Sequence, residues 1–195
     1  MDNFNTQPLR KAGVGQFLLG LLQVILNPRQ GWKDAAKDNY NTRDLLTAGL
    51  VPFLIVVALT SLFSAFYYST VGYMEAVIAG ILNFTGYFVS VFICNYLLSW
   101  GMKKFVLPLR YNPAHCMTFV IYTIASMALM TLLNNVFPAD LALLSFLPLY
   151  VLYIMWGGVD FMDVDDARKP HFMITAILTL FAPPYILAYC LSLFI

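Results

Sequence analysis

The sequence carries little charge. Asp, Glu, Lys and Arg make up only 11% of its 195 residues, and 61% are hydrophobic. A soluble domain averages about 25% charged residues, so an ordinary water-soluble fold is excluded. The net charge of +1, without a dense basic block, gives no reason to expect nucleic acid as a partner. We therefore predict a membrane protein with no nucleic-acid partner.

Residue types that carry catalysis are scarce as well. Glu75 is the only glutamate, and the two histidines and three cysteines show no metal-ligand spacing. Nucleotide-binding loops and the nucleophile motif of α/β-hydrolases are absent. The centres of the apolar runs contain no Asp, Glu, Lys, Arg or His, which argues against a proton relay. We predict no catalytic residue, no cofactor and no metal site, and hence no enzyme.

The sequence has long apolar runs instead. Each is about 19–25 residues long, and a helix needs about 20 apolar residues to cross the hydrocarbon core. Helices pair their own backbone polar groups in that layer. The predicted fold class is an all-α integral membrane protein, a five-helix transmembrane bundle with an N-terminal interfacial amphipathic helix. The transmembrane domain is predicted at 45–195, with spans at 45–68, 76–100, 116–137, 141–159 and 172–195.

The eleven Lys and Arg residues fall in alternate gaps between these runs. They occur before the first run, after the second and after the fourth, and no basic residue follows the first or the third. By the positive-inside rule, the basic gaps share the cytoplasmic side. We therefore expect a cytoplasmic N-terminus and an external C-terminus.

Residues 1–44 form the predicted cytoplasmic segment. As a helix, its apolar stretch 14–26 would be only about 20 Å long, too short to cross a membrane. We predict an amphipathic helix on the cytoplasmic membrane surface or docked under the bundle. Arg10 and Lys11 precede the stretch, so a cleavable signal peptide is the alternative, although no small-residue cleavage site follows.

The cytoplasmic surface supplies the predicted contacts. Asn27-Pro28 ends the short helix, and Trp32 is expected to anchor the following segment at the membrane interface. Basic side chains near anionic headgroups gain about 1 kcal/mol each. The residues predicted to contact lipid or a partner are Trp32, Lys33, Lys37, Arg43, Lys103, Lys104 and Arg110.

Two adjacent prolines, Pro183 and Pro184, lie midway along the last run. Each removes a backbone donor and clashes with the preceding turn, so we predict a kink or a break there. Uncharged polar residues occur in the second and third runs, among them Asn83, Thr131 and Asn134. Together these features support an alternative function as a small permease or channel subunit.

An acidic cluster follows the fourth run. Four carboxylates lie within 160–166, and oxygen ligands could hold a divalent cation. Asp160, Asp163, Ala167 and Arg168 resemble the start of the CDP-alcohol phosphotransferase motif, but no acidic residue follows the cluster to complete a metal pair. A lipid-headgroup enzyme is therefore the third alternative, and a solvated turn is the simpler interpretation.

Four segments of the chain form a recognisable order. They are Asn27-Pro-Arg-Gln-Gly-Trp32, Leu45-Leu-Thr-Ala-Gly-Leu-Val-Pro52, Tyr111-Asn-Pro-Ala-His115 and Tyr150-x-x-Tyr153-x-x-Trp156-Gly-Gly158. This order resembles that of the Yip1 family of small five-span membrane proteins. The resemblance implies the five-span topology and no catalytic residue. The Asp-Leu-Tyr-Gly-Pro segment of the eukaryotic members is missing, so the chain is more similar to bacterial members.

The predicted function is that of a non-enzymatic Yip1-type scaffold that organises the membrane or binds partners. Its expected partners are the lipid bilayer and, in addition, other membrane proteins or further copies of the chain. The bacterial inner membrane is the expected location, with a Golgi or endoplasmic-reticulum membrane as the alternative.

Overall fold

The computed structural model describes residues 10–38, 40–67, 72–108, 111–137 and 147–192. These ranges are almost entirely helical, and the predicted all-α membrane bundle is confirmed. The helices are α1 (Val14–Leu26), α2 (Pro28–Asp38), α3 (Thr42–Tyr67), α4 (Tyr73–Val106), α5 (Pro113–Val136), α6 (Leu147–Gly157) and α7 (Lys169–Ser192).

Four of the described helices, α3, α4, α5 and α7, are long and apolar enough to cross a membrane. They overlap the first, second, third and fifth predicted spans. α5 lies at the centre of the bundle: 67% of its apolar window is buried, against 22–39% for the other three. The lipid-facing surface therefore belongs mainly to α3, α4 and α7.

α4 is longer than predicted, because Met102–Val106 continues it as a π-helical turn. The Lys103 ammonium lies 4.8 Å from the centre of the Tyr111 ring, and that of Lys104 lies 4.9 Å from the Trp100 ring. Such cation–π contacts contribute about 0.5–1 kcal/mol each at exposed sites. Positive charge also suits the C-terminal end of the helix dipole. Both lysines therefore belong to the end of α4 and not to a loop.

The fourth predicted span, 141–159, is described only in part. α6 has 11 residues, or about 16 Å of helix, which is less than the thickness of the hydrocarbon core. Residues 141–146 lie outside the described residues. The count of five spans therefore stays a prediction.

α1 and α2 form a hairpin. The residue before a proline avoids helical geometry, and Asn27, before Pro28, has φ −140° and ψ 79°. The two helices touch at Gly31, where a Cβ would lie 2.5 Å from the backbone nitrogen of Val24. Only a glycine allows this approach without a shift of the backbone.

The hairpin is docked against the bundle through one face of α1. Phe17 is fully buried and stacks on Tyr122 of α5, with 5.7 Å between the ring centroids. A Cβ at Gly49 of α3 would lie 2.6 Å from the Phe17 ring, so α3 also packs closely here. The opposite face of α1 exposes Leu19, Leu22 and Leu26.

The two ends of the bundle differ. At one end, Asn135 Nδ2 donates to Thr60 Oγ1 and Ser61 Oγ at 3.1 and 3.2 Å. At the other end, α2, the last turn of α4, the start of α5 and residues 157–169 lie together. We call this second end the basic end, because it carries the Lys and Arg residues that the structure describes.

Candidate functional site at the basic end

Trp32 lies inside the protein. Its side chain is 1% exposed, and its Nε1–H donates to the Ile154 carbonyl at 2.9 Å. Its ring lies 5.1 Å from that of Phe119 and 5.2 Å from that of Phe161, centroid to centroid. This burial corrects the prediction that Trp32 contacts lipid or a partner. An indole can be buried where its N–H finds an acceptor, and the end of α6 supplies one.

The Trp32 hydrogen bond completes the C-terminal end of α6. The N–H of Gly158 would reach the Ile154 carbonyl in a continuing helix, but it bonds to the Met155 carbonyl at 3.0 Å instead. Ile154 therefore presents one of the carbonyls that a helix end leaves without an intrahelical donor. Trp32 of α2 donates to this free carbonyl of α6, so the hydrogen bond links the two helices.

Two adjacent glycines at the end of α6 make room for this packing. A Cβ at Gly158 would lie 2.6 Å from Phe119 Cε2 and 2.9 Å from Trp32 Cε2. A Cβ at Gly157 would lie 2.7 Å from Pro28 Cβ. Real Cβ atoms essentially never approach so closely, so a larger residue at either position would push α2 away from α6.

Segments 27–32 and 150–158 therefore meet face to face. Tyr150 adds a further link, because its hydroxyl donates to the Ile25 carbonyl at 2.5 Å. A third segment is adjacent: His115 stacks on Phe161, with 4.6 Å between the ring centroids. Three of the four sequence segments that resemble the Yip1 family, 27–32, 111–115 and 150–158, are thus brought together at the basic end.

The segment before α1 contacts the C-terminal end of α2 and the residues that follow it. Arg10 Nη1 lies 3.3 Å from Asp38 Oδ1, and the Asn41 N–H donates to the Arg10 carbonyl at 3.1 Å. Partial burial raises the pKa of the Tyr40 hydroxyl, and the neighbouring Asp38 carboxylate raises it further. Tyr40 is therefore neutral at physiological pH and can pack against the hairpin as an uncharged ring.

Of the predicted contact residues, Lys33 and Lys37 are exposed on α2, and Arg43 is exposed at the start of α3. Lys37 Nζ lies 3.9 Å from Asp34 Oδ1, an exposed pair of the kind that contributes little to stability. Arg110 lies outside the described residues. Binding of lipid or a partner by these side chains stays a prediction.

Arg168 has a structural role at this end. Its guanidinium donates to the Val106 and Leu107 carbonyls at 2.9 and 3.0 Å. Leu107 adopts a left-handed conformation, with φ 48°, where α4 ends. Arg168 therefore caps α4 and ties it to the start of α7, next to the exposed Lys103 and Lys104.

The acidic cluster is paired with a neighbouring cation. Lys169 Nζ lies 3.0 Å from Asp160 Oδ1 and 2.6 Å from Asp166 Oδ1. Asp163 ends a 3-10 turn in a left-handed conformation, with φ 51°. Among the described residues, no group of three or more His, Cys, Asp or Glu could hold a metal ion.

A groove of about 600 Å³ lies between α2 and the chain that follows α6. One wall is a single face of α2, at the spacing i, i+3, i+4, i+7, formed by Arg29, Trp32, Lys33 and Ala36. The opposite wall includes Trp156, Asp160 and Lys169. Sequence reasoning missed Arg29, Trp156 and Lys169 as site residues. The i, i+4 spacing of Arg29 and Lys33 is visible in the sequence, but the opposite wall comes from a distant segment.

A second cavity, of about 330 Å³, lies among α4, α5, α6 and α7. It brings together Asn83, Thr131, Asn134 and Pro184, which the sequence places in three separate runs. The Tyr87 hydroxyl, also in its lining, hydrogen bonds to Thr131 Oγ1 at 2.7 Å.

The paired prolines do not break α7. The helix continues through Pro183 and Pro184 as one element, Lys169–Ser192. Pro184 cannot donate to the Leu180 carbonyl, and the Cys94 thiol of α4 approaches that oxygen at 3.8 Å. α4 thus supplies a weak substitute donor. The predicted kink stays a prediction.

Apolar helices of membrane-crossing length, joined at one end by a docked helical hairpin, define a multi-pass membrane protein. The family model of the Yip1 domain matches residues 22–194, so the chain belongs to the Yip1 family. The predicted resemblance is confirmed. No curated protein and no solved structure gives a significant match.

Proposed function

We propose that this Yip1-family protein is a non-enzymatic scaffold of the bacterial inner membrane that organises the membrane or binds partners through its basic end. The docked hairpin is the observation that supports the proposal. α2 packs against the bundle through Trp32, Gly157 and Gly158. The exposed cations of α2 therefore belong to a docked helix and not to a flexible segment. Such a surface loses less conformational entropy on binding than a flexible segment would.

The hairpin has two kinds of surface side by side. α1 exposes leucines, and α2 exposes Lys33 and Lys37. An apolar helix face beside cations suits the membrane interface, where leucines enter the acyl boundary and lysines reach anionic headgroups. By the positive-inside rule, the basic end would face the cytoplasm. With five spans, the C-terminus would then be external.

The contacts around residues 160–169 support a structural role for that segment. Lys169 pairs with Asp160 and Asp166, and Arg168 caps α4. These bonds connect α7 with the turn after α6 and with the end of α4. The acidic cluster therefore serves to join helices in the proposed scaffold.

Cross-linking in native membranes, followed by purification of the full chain, tests this proposal. We expect a membrane-protein partner or a second copy to be recovered with the wild type. Lys33→Glu together with Lys37→Glu should abolish recovery by reversing the charge of α2. Lys11→Glu, before α1, is the control and should leave recovery unchanged. A wild-type monomer without any cross-linked partner would reject the scaffold function.

The cavity among α4, α5, α6 and α7 favours a small permease or channel subunit as the second candidate. Uncharged polar groups around a cavity at membrane depth could line a solute path. Solute flux in proteoliposomes that is lost in Asn134→Leu but retained in Ser90→Ala, outside the cavity lining, would favour this function. Absence of flux with the wild type would reject it.

A further inference from the structure

The groove at the basic end contains an excess of positive charge. Its lining includes three cations, Arg29, Lys33 and Lys169, and one carboxylate, Asp160, which leaves a net charge of +2. Lys169 is already paired with Asp160 at 3.0 Å. Within the described ranges, Arg29 and Lys33 form no ion pair. Their charge is therefore available to an anion from outside the chain.

The arrangement of Arg29 and Lys33 suits one anion. The two residues lie one helical turn apart on the same face of α2, where like charges repel each other. An anion held between them would relieve that repulsion. A guanidinium binds phosphate oxygens through two parallel hydrogen bonds, and an ammonium adds a compact charge beside it. Phosphate is therefore the chemical group that this wall fits best.

An exposed apolar strip leads along α6 to the groove. Leu149, Tyr153 and Trp156 lie on one face at i, i+4 and i+7, and each is about half exposed or more. Tyr and Trp favour the boundary between hydrocarbon and headgroups. Trp156 belongs both to the strip and to the groove lining. A ligand with apolar chains along the strip would place its polar head between Arg29 and Lys33.

We propose that this groove binds the phosphate headgroup of an anionic membrane lipid. Arg29 and Lys33 hold the phosphate, Trp156 marks the headgroup boundary, and the α6 strip contacts the acyl chains. The inference rests on the proposed scaffold function and extends it, because it names a binding site and a lipid class in place of diffuse attraction.

Native mass spectrometry of the purified full chain in detergent tests the site. Phosphatidylglycerol and phosphatidylcholine with identical acyl chains are titrated separately. We expect the wild type to bind phosphatidylglycerol more tightly. Arg29→Gln with Lys33→Gln should lower that affinity about tenfold or more, because a hydrogen bond to a charged group is worth at least that factor. Equal binding of both lipids by the wild type would overturn the proposal.

Two further variants control for charge and folding. Arg10→Gln with Lys11→Gln removes the same charge from the exposed segment before α1, outside the predicted lipid contacts, and should change the affinity little. Equal losses in both double variants would indicate diffuse attraction and overturn the site. Arg29→Lys with Lys33→Arg keeps both charges and should retain binding, which separates a charge effect from misfolding.

A competition experiment distinguishes a lipid from a soluble ligand. Inorganic phosphate and glycerol 3-phosphate, each in excess, should not displace phosphatidylglycerol, because neither contacts the α6 strip. Displacement by either compound would assign the groove to a soluble phosphate and overturn the lipid proposal. The assay contains no other protein, so its failure is distinguishable from failure to recover a partner in membranes.

Discussion

Replacement of Trp32 is expected to release the hairpin from the bundle. Large-to-small replacement of a buried Trp costs about 3–5 kcal/mol. Trp32→Ala also leaves the Ile154 carbonyl without its donor, which adds about 1–3 kcal/mol. The free energy of unfolding should therefore fall by about 4 kcal/mol or more, a large part of a typical stability of about 5–15 kcal/mol.

Two other substitutions separate the contributions. Trp32→Phe keeps an aromatic ring beside Phe119 but removes the Nε1–H, so it should cost about 1–3 kcal/mol. Trp100→Ala is the matched control, because Trp100 is 50% exposed and lies against Phe105 and Lys104. Its loss should cost no more than about 1 kcal/mol.

Unfolding of the purified variants in detergent, by heat or denaturant, measures this order of stabilities. Limited proteolysis provides a second readout, because a released hairpin should be cleaved in residues 1–43 before the bundle unfolds. The reasoning is refuted if Trp32→Ala is no less stable than Trp100→Ala and its hairpin is no more sensitive to protease.

Three further predictions concern the contacts around the hairpin. Gly158→Ala should lower the free energy of unfolding by about 1–3 kcal/mol through overpacking. Gly15→Ala, with nothing within 4 Å of the new Cβ, should raise it by up to about 1 kcal/mol. Equal melting temperatures of the two variants would contradict this. Arg168→Gln should remove the cap of α4 at a cost of about 1.5–3 kcal/mol and speed hydrogen exchange in residues 102–108, so unchanged exchange would count against the cap. Tyr150→Phe should cost about 0.5–1.5 kcal/mol in the same unfolding assay, and no change would show that its bond to α1 contributes nothing.

The membrane-crossing helices could be predicted because the bilayer sets one length for all of them. Apolar runs of that length became α3, α4, α5 and α7. The C-terminal end of α4 could not be predicted from the sequence, because two adjacent lysines, Lys103 and Lys104, are typical of a loop. The aromatic rings that their ammonium groups contact become known only in the fold. In the fold, the two ammonium groups of this last turn lie against the rings of Tyr111 and Trp100.

The place of Trp32 could not be predicted in the same way. A buried tryptophan and an interfacial one differ in whether the indole N–H finds an internal acceptor. Its acceptor, the Ile154 carbonyl, lies 122 residues away in sequence. The groove could not be predicted for the same reason. Arg29 and Lys33 share one face of α2, but Trp156 and Lys169 are distant in sequence and lie opposite them only in the folded chain. Gly157 and Gly158 are visible in the sequence as part of the family resemblance, but their close contacts with Pro28, Phe119 and Trp32 are not.

A photoreactive phenylalanine analogue at position 32 tests most directly whether the hairpin is part of the bundle. After irradiation in native membranes, mass spectrometry should find intrachain cross-links from position 32 to peptides that contain Phe119, Ile154 or Phe161. The same analogue at position 100, which is exposed, should react with lipid or another protein. Cross-links from position 32 to lipid or a partner, without an intrachain product, would contradict the account.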